Sequence, residues 1–218
     1  MHQAILKKAG IIALGAVILC APQAFAQTTN SAKTETNTHS HEAADPVLVN
    51  EAEIKTRHLS DWAGDWQSLY PILQNGTLDA VMTHKAESGE KTAEEYRAYY
   101  EAGYKTDVER ILIDDHSVTF FRGGQPFQGQ YANDGYEILT YASGSQGVRF
   151  VFEKSGGDES APQFIQFSDH EIAPTKADHY HLYWGDDRAQ LLTEVTNWPT
   201  YFPSGLTGEE IATQMLAH

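Results

Sequence analysis

The sequence predicts a mainly β protein, an antiparallel barrel or sandwich with additional α-helices. Beyond Asp107, apolar and polar residues alternate in short runs, as they do in strands that bury one face. Turn sequences such as Gly123-Gly124 and Ser143-Gly144-Ser145 separate these runs, and short strands joined in this way are typical of antiparallel sheets. The predicted strands are 62–68, 108–113, 117–122, 127–131, 136–142, 147–153 and 163–167, with a hairpin after them.

Helices are predicted on both sides of these strands. Those over 92–104 and 207–216 both open with Thr-x-x-Glu, the spacing of a capping box, and tyrosines at helical intervals line one face of the first. A further helix is predicted from the turn at 185–187 through Val195, and a short polar helix over 50–57. The prolines in 197–203 exclude a helix there, so we expect the chain to leave the sheet after the hairpin.

Residues 1–26 have the pattern of a secretory signal peptide. Lys7 and Lys8 precede an apolar stretch over 11–19, and Ala24-Phe25-Ala26 has the small-x-small pattern of a cleavage site. Cys20 raises a lipoprotein alternative, but the residue before it is the bulky Leu19, where such signals require a small side chain. We therefore expect cleavage after about Ala26 and export to the periplasm.

Removal of that segment changes both the cysteine count and the charge of the chain. Cys20 is the only cysteine, so the exported protein would have neither a disulfide nor a thiolate metal ligand. The segment contains two of the 15 basic residues and none of the 30 acidic ones. The remaining surface is strongly acidic, which argues against nucleic acid and anionic membranes as partners.

The exported chain divides into an arm and one domain. Residues 27–46 are rich in Thr, Ser, Asn and Ala without apolar periodicity, which predicts a flexible arm. The arm contains His39-Ser40-His41-Glu42, and we predict His39 and His41 to be an auxiliary metal site. Residues 47–218 are expected to form one domain of ordinary size.

Three of the ten histidines lie close together near the end of the predicted sheet. In a strand, His179 and His181 project from one face and Tyr180 from the other. His170 precedes a break at Pro174, so a hairpin would return it opposite His179 or His181. Neutral imidazole is a ligand that Zn²⁺ accepts in tetrahedral sites. The spacing predicts a metal site with three imidazoles and a fourth position for water, a carboxylate or a partner's ligand.

Several longer motifs occur along the second half of the chain, namely Phe167-Ser168-Asp169-His170, Asp178-His179-Tyr180-His181 and Asn197-Trp198-Pro199-Thr200-Tyr201, with shorter ones in 59–68, 136–141 and 147–149. In this order they resemble the motifs of the ZinT family of periplasmic zinc-binding proteins. The resemblance covers about Leu59 to His218, and Gly64-x-Trp66 is also similar to the opening strand of lipocalin-like barrels.

The resemblance implies a lipocalin-like (calycin) β-barrel with added helices. It also implies a zinc site at His170, His179 and His181 that accepts Cd²⁺ and other divalent ions. Family members collect zinc when it is scarce and assist the zinc-specific solute-binding protein of an ABC importer. Two features depart from some members, because the arm has only His39 and His41 and the exported chain lacks a cysteine pair.

Two other functions fit parts of the sequence. Three histidines and a water molecule are also the ligands of zinc hydrolases, but no His-Glu-x-x-His or Gly-x-Ser-x-Gly motif supplies a base or nucleophile. A lipocalin-type barrel can instead hold a small apolar ligand. We interpret the sequence as that of a binding protein and not of an enzyme. Native mass spectrometry after purification without chelator would separate the alternatives by showing zinc, an organic ligand or neither.

Overall fold

Eight antiparallel strands form a closed barrel in the computed structural model, which describes residues 46–193 and 196–217. Each strand pairs with the next along the chain, and the last returns to pair with the first. The strands are β1 (Gly64–Ser68), β2 (Val108–Ile113), β3 (Ser117–Arg122), β4 (Gln125–Thr140), β5 (Gln146–Gly157), β6 (Phe164–Ser168), β7 (Tyr180–Gly185) and β8 (Thr200–Pro203). The predicted mainly β fold is confirmed, and of the two architectures it is the barrel.

The helices are α1 (Tyr70–Gln74), α2 (Asp79–Ser88), α3 (Ala93–Tyr104), α4 (Arg188–Thr193) and α5 (Gly208–Leu216). Both predicted capping boxes are confirmed, at the starts of α3 and α5. The helix predicted over 50–57 is wrong, since only Glu51–Glu53 forms a 3-10 turn there. Among the described residues, no helix has the length and apolar character needed to cross a membrane. The predicted signal peptide, nearly all of the predicted arm, Val195 and His218 lie outside the described residues.

Strand β4 corrects the prediction of separate strands over 127–131 and 136–142. It runs through both segments, and its pairing with β5 shifts register between Asn133 and Tyr136. Asn133 Oδ1 accepts a hydrogen bond from Gly135 N at 3.0 Å, and Gly135 has a φ of 86°. The Asn133 side chain thus provides a local hydrogen-bond partner for the backbone N–H group of Gly135. For this reason the polar segment 133–135 forms a bulge within one strand rather than a hairpin turn.

The expectation that the chain leaves the sheet after the hairpin is also wrong. Strand β8 lies between β7 and β1 and closes the barrel, with Tyr180 opposite Tyr201 and Gln67 opposite Phe202. The flanking prolines lie before and at the end of this four-residue strand, where a missing N–H group is tolerated. Alternation along β8 directs Tyr201 into the barrel, while Phe202 joins the hydrophobic cluster formed with the helices.

Two hydrophobic cores stabilise this arrangement. Large aromatic side chains fill the barrel interior, and they include Trp62, Trp66, Phe120, Phe150, Phe152, Phe167, Tyr180 and Tyr201. The second core packs helices α1, α2, α3 and α5 against the outer face of β8, through Leu69, Leu73, Leu78, Val81, Met82, Tyr104, Phe202, Ile211 and Ala212. The space between the outer wall of the barrel and this helical layer contains the histidines described below.

Two buried tyrosines in the barrel, Tyr180 and Tyr201, differ in the hydrogen bonding of their hydroxyl groups. The Tyr180 hydroxyl has no hydrogen-bond partner among the described residues, whereas the Tyr201 hydroxyl donates to Val108 O at 3.0 Å. We expect Tyr180→Phe to leave the free energy of unfolding unchanged or raised, and Tyr201→Phe to lower it by about 1 kcal/mol. Urea denaturation of both variants measures this difference, and equal losses would contradict it.

Candidate metal centre

The structure brings His170, His179 and His181 together at one end of the β6–β7 hairpin. The final pair of opposing residues in these two strands is Ser168 and His181. If the same antiparallel register is continued by two residues, His170 lies opposite His179. The ring centroids of His170 and His179 lie 5.3 Å apart, and those of His179 and His181 lie 6.4 Å apart. The loop containing Pro174 thus folds back far enough for the three imidazoles to cluster.

The imidazoles lie outside the barrel wall and not in its interior. Tyr180 belongs to the barrel core, so His181 projects from the opposite face of β7, beside Thr200 of β8. The His179 ring stacks on Phe202 with centroids 5.0 Å apart and an interplanar angle of 6°. Because Thr200 and Phe202 are on the outer face of β8, that short strand supports two of the three histidines.

The spacing of the rings nearly matches that of a shared zinc ion. Imidazoles that bind one ion at about 2.0–2.1 Å in a tetrahedron have ring centroids roughly 5 Å apart. The 5.3 Å between His170 and His179 fits this value, whereas 6.4 Å between His179 and His181 exceeds it. Within residues 46–193 and 196–217, accordingly, no three His, Cys, Asp or Glu side chains already have the spacing of a metal site. An ion would have to draw these two rings about 1 Å closer.

Thr200 fixes the tautomer of His181. Its hydroxyl donates to Trp198 O at 2.9 Å and lies 2.8 Å from His181 Nδ1. Because the single hydroxyl proton is used in the first contact, the second contact favours the tautomer in which Nδ1 carries the proton. The Nε2 atom of His181 therefore keeps its lone pair, which is the arrangement that supports metal coordination by histidine.

His181 is also held in its neutral form. Burial, together with the neighbouring His179, His170 and Arg149, lowers the pKa of His181 to about 3. Near neutral pH no proton has to leave this ring before it coordinates a metal ion. The local environment thus favours an imidazole that is ready to act as a ligand.

A buried arginine anchors the loop that begins with His170. The Arg57 side chain is 0% exposed, and its Nη1 donates to both oxygens of Asp169, at 2.6 and 2.8 Å. The same guanidinium donates to the carbonyls of Glu171 and Thr175 and, through Nε, to Asp61. Asp169 immediately precedes His170. By holding Asp169, Arg57 fixes the position of the backbone from which the His170 side chain projects.

Trp62 and two backbone contacts complete the anchoring of this loop. Trp62 Nε1 donates to Asp169 Oδ2 at 3.0 Å, and the Arg57 guanidinium lies 4.0 Å from the centroid of the Trp62 ring. Lys55 N donates to Ile172 O, and Ala177 N donates to Asp61 O. The loop is therefore attached to the segment before β1 along its whole length. Sequence reasoning missed Arg57, since a lone arginine in a polar segment has no recognisable pattern.

A large cavity borders the three imidazoles. Its volume is about 1200 Å³, and it lies between the β6–β7 loop, the outer face of β8 and helices α2, α3 and α5. Glu171 and Asp178 line it with exposed carboxylates. His170 is itself exposed, so a metal ion would approach from this side and exchange its fourth ligand there.

The other histidines lie away from this centre or outside the described residues. His84 is exposed on α2, 3.5 Å from Glu87, and His116 is in the turn between β2 and β3. His58 directly precedes the 3-10 turn Leu59–Trp62. His39 and His41, the predicted auxiliary site, are not among the described residues.

The closed barrel, its helical layer and the outward-facing imidazoles define a lipocalin-like protein with a candidate metal centre beside the barrel wall. A family model described as ZinT (YodA) periplasmic lipocalin-like zinc-recruitment matches residues 40–218. The chain belongs to this ZinT family. The family predicted from the sequence motifs is therefore confirmed.

Similar proteins include one of comparable length and several much longer ones. The probable metal-binding protein YrpE of Bacillus subtilis is 60% identical over 168 residues, which is 77% of this chain and 67% of YrpE. The zinc-binding lipoprotein AdcA of Streptococcus pneumoniae R6 is 49% identical over 170 residues, 77% of this chain but 34% of AdcA. The chain thus spans about a third of the length of AdcA.

A solved structure shares the fold. The crystal structure of the Zn(II)-bound ZinT-like domain of Streptococcus pneumoniae AdcA has a TM-score of 0.75 and 48% sequence identity. The similarity covers 77% of this chain and 94% of that domain. The barrel with its helical layer therefore corresponds to nearly the whole of one domain in the longer protein.

Proposed function

We propose that this protein captures Zn²⁺ in the periplasm through His170, His179 and His181. The observation that carries the proposal is the clustering of three imidazoles, one of them held neutral with Nε2 available. The zinc-bound state of a domain that is 48% identical supports the choice of metal. Imidazole nitrogen also binds Cd²⁺ and other divalent ions, so availability contributes to which metal is bound.

The exposure of the centre fits a carrier that releases its ion. His170 is exposed and the cavity reaches all three rings, so an acceptor's ligand can enter the fourth position before the imidazoles leave. We propose the solute-binding protein of a zinc ABC importer as that acceptor, acting when zinc is scarce. The barrel interior is filled by aromatic side chains, which gives no support to a lipocalin-type ligand there.

Zinc titration against a competing chelator tests the capture step. We expect one high-affinity equivalent for the full chain, and native mass spectrometry of protein purified without chelator should show one zinc ion. The variant with alanine at all three histidines should lose this equivalent. Undiminished affinity in that variant would overturn the assignment, and an organic ligand without zinc would favour the lipocalin-type alternative.

The arm is proposed to collect zinc weakly at His39 and His41. Ordering flexible chain costs backbone entropy of about 1–2 kcal/mol per residue, so a two-histidine site there is much weaker than the folded centre. Replacing both by alanine should remove a low-affinity phase and leave the high-affinity equivalent unchanged. Loss of the high-affinity equivalent instead would move these residues into the principal site.

Delivery can be followed by mixing the zinc-loaded protein with the zinc-free solute-binding protein. If transfer proceeds through a shared complex, its rate should rise with acceptor concentration. A rate equal to that of spontaneous zinc release, at every acceptor concentration, would contradict assisted delivery.

The hydroxyl of Thr200 provides a sharper test of the ligand geometry. Thr200→Val keeps the shape of this buried side chain but removes the acceptor for His181 Nδ1. We expect zinc affinity to fall about 10- to 100-fold, the usual effect of losing such an outer partner. Thr200→Ser retains the hydroxyl and is the control. Equal affinities of the two variants in a chelator competition would show that the tautomer of His181 is not set here.

A further inference from the structure

The cavity beside the histidines is far larger than an ion and a water molecule require. Its volume is about 1200 Å³, whereas one water molecule occupies about 30 Å³ of the liquid. Pockets for small organic ligands have volumes of about 300–1,000 Å³. With the imidazoles on one side, the space towards helices α2 and α3 is large enough for a second molecule.

The wall provided by α3 and the segment before β8 is aromatic. Tyr99, Tyr100 and Trp198 all line the cavity. The ring centroids of Tyr99 and Trp198 lie 5.0 Å apart, and those of Tyr99 and Tyr100 lie 5.3 Å apart. Tyr99 is 49% exposed, so its ring can be reached from solvent. Aromatic faces presented in this way favour a planar, unsaturated ligand.

Two lysines lie close to these rings, and Lys91 Nζ is 5.9 Å from the centroid of the Tyr99 ring. Lys85 lines the cavity, and its Nζ lies 5.7 Å from the centroid of the Tyr100 ring. In the part of the chain that the structure describes, no carboxylate forms an ion pair with Lys85. A bound zinc ion would add two positive charges across the cavity. Lys176 also lines the cavity, and the carboxylates of Glu171 and Asp178 offset two of these positive charges. With zinc bound the balance is still positive, which favours an anionic ligand.

We infer that the cavity binds zinc together with a small planar aromatic carboxylate that chelates the ion. The ligand's ring nitrogen and carboxylate complete the coordination of zinc, its ring packs against Tyr99 and Trp198, and its carboxylate pairs with Lys85. Nitrogen and carboxylate oxygen are both established zinc ligands, and zinc can expand from four to five ligands. This inference rests on the proposed zinc function and specifies the form in which the ion is held.

Picolinate is a suitable probe, and its isomer nicotinate is the matched control. Both have the same size and charge, but nicotinate cannot direct its nitrogen and carboxylate at one ion. Calorimetry of each acid with zinc-loaded and zinc-free full-length protein measures the coupling. We expect picolinate to bind zinc-loaded protein with one equivalent and at least about fivefold more tightly than zinc-free protein, the lower end of usual coupling between two ligands.

Two substitutions locate this second ligand. Lys85→Gln and Tyr99→Ala should each weaken picolinate binding about fivefold, as expected for a partly exposed charge or ring contact. Neither should change zinc affinity, and His84→Ala on the same helix should change neither.

The outcomes separate the inference from the proposed function. Failure of the zinc-loaded protein to bind picolinate, removal of zinc by picolinate, or equal binding of nicotinate would each overturn the inference alone. Absence of zinc binding would overturn the proposed function and this inference with it.

Discussion

Replacing His170 with alanine is expected to weaken zinc binding at least about 100-fold. Structural zinc sites with four ligands gain about 10–16 kcal/mol, which averages to about 3 kcal/mol, or more than two orders of magnitude, for each ligand. His170 is exposed, so the zinc-free variant should keep its free energy of unfolding within about 0.5 kcal/mol of the original. Chelator competition and urea denaturation measure the two quantities separately.

His84→Ala is the matched control for this prediction. His84 is also exposed, but it lies on α2 beside Glu87. Its removal should leave both zinc affinity and stability unchanged. If His170→Ala behaved like His84→Ala, the exposed imidazole would not be a ligand of the ion.

Replacing Arg57 with methionine is expected to destabilise the protein by about 3–5 kcal/mol, because it leaves a buried carboxylate without its partner. The Arg57 and Asp169 side chains are 0% and 4% exposed, so little water reaches this pair. The same change frees the loop after Asp169, so zinc affinity should fall as well. Urea denaturation and chelator competition measure both effects.

An exposed ion pair provides the comparison. Arg110 donates to both oxygens of Asp65 across β2 and β1, but both side chains are well exposed. Arg110→Met should therefore cost no more than about 1 kcal/mol. The double variant Arg57→Met with Asp169→Leu should recover much of the stability lost in Arg57→Met. If the double variant were less stable still, the unpaired carboxylate would not be the cause.

Local sequence patterns predicted the elements whose stabilising contacts are themselves local. The Thr-x-x-Glu starts of α3 and α5 satisfy their own first-turn backbone groups, so their signal does not depend on the rest of the fold. Strands β2 and β3 bury alternate residues over 111–113 and 118–121, and the sequence alternation there indicates this directly. The prediction that His179 and His181 share one face is local in the same way, because it depends only on their spacing along one strand.

Elements stabilised by distant contacts could not be predicted in this way. Strand β8 has four residues and is stabilised by pairing with β1 and β7, far away in sequence. Helix α1 begins at Tyr70, next to Pro71, which is tolerated in a first turn although it would interrupt a longer helix. Helix α2 buries the adjacent pair Val81 and Met82 and has no apolar stripe along one face.

The candidate centre combines both kinds of information. Its three imidazoles follow from the motif and the hairpin, whereas their support does not. Arg57 reaches Asp169 across 112 positions, and Thr200 is on the strand that the sequence did not predict. These two residues orient the site, and only the folded chain places them there.

Anomalous diffraction at the zinc absorption edge, from crystals of the zinc-loaded protein, tests the central claim most directly. We expect a single strong peak about 2.0–2.1 Å from one nitrogen each of His170, His179 and His181. For His181 that nitrogen should be Nε2, with Nδ1 still bonded to Thr200. A peak at another position, or three rings that point apart around no peak, would contradict the account.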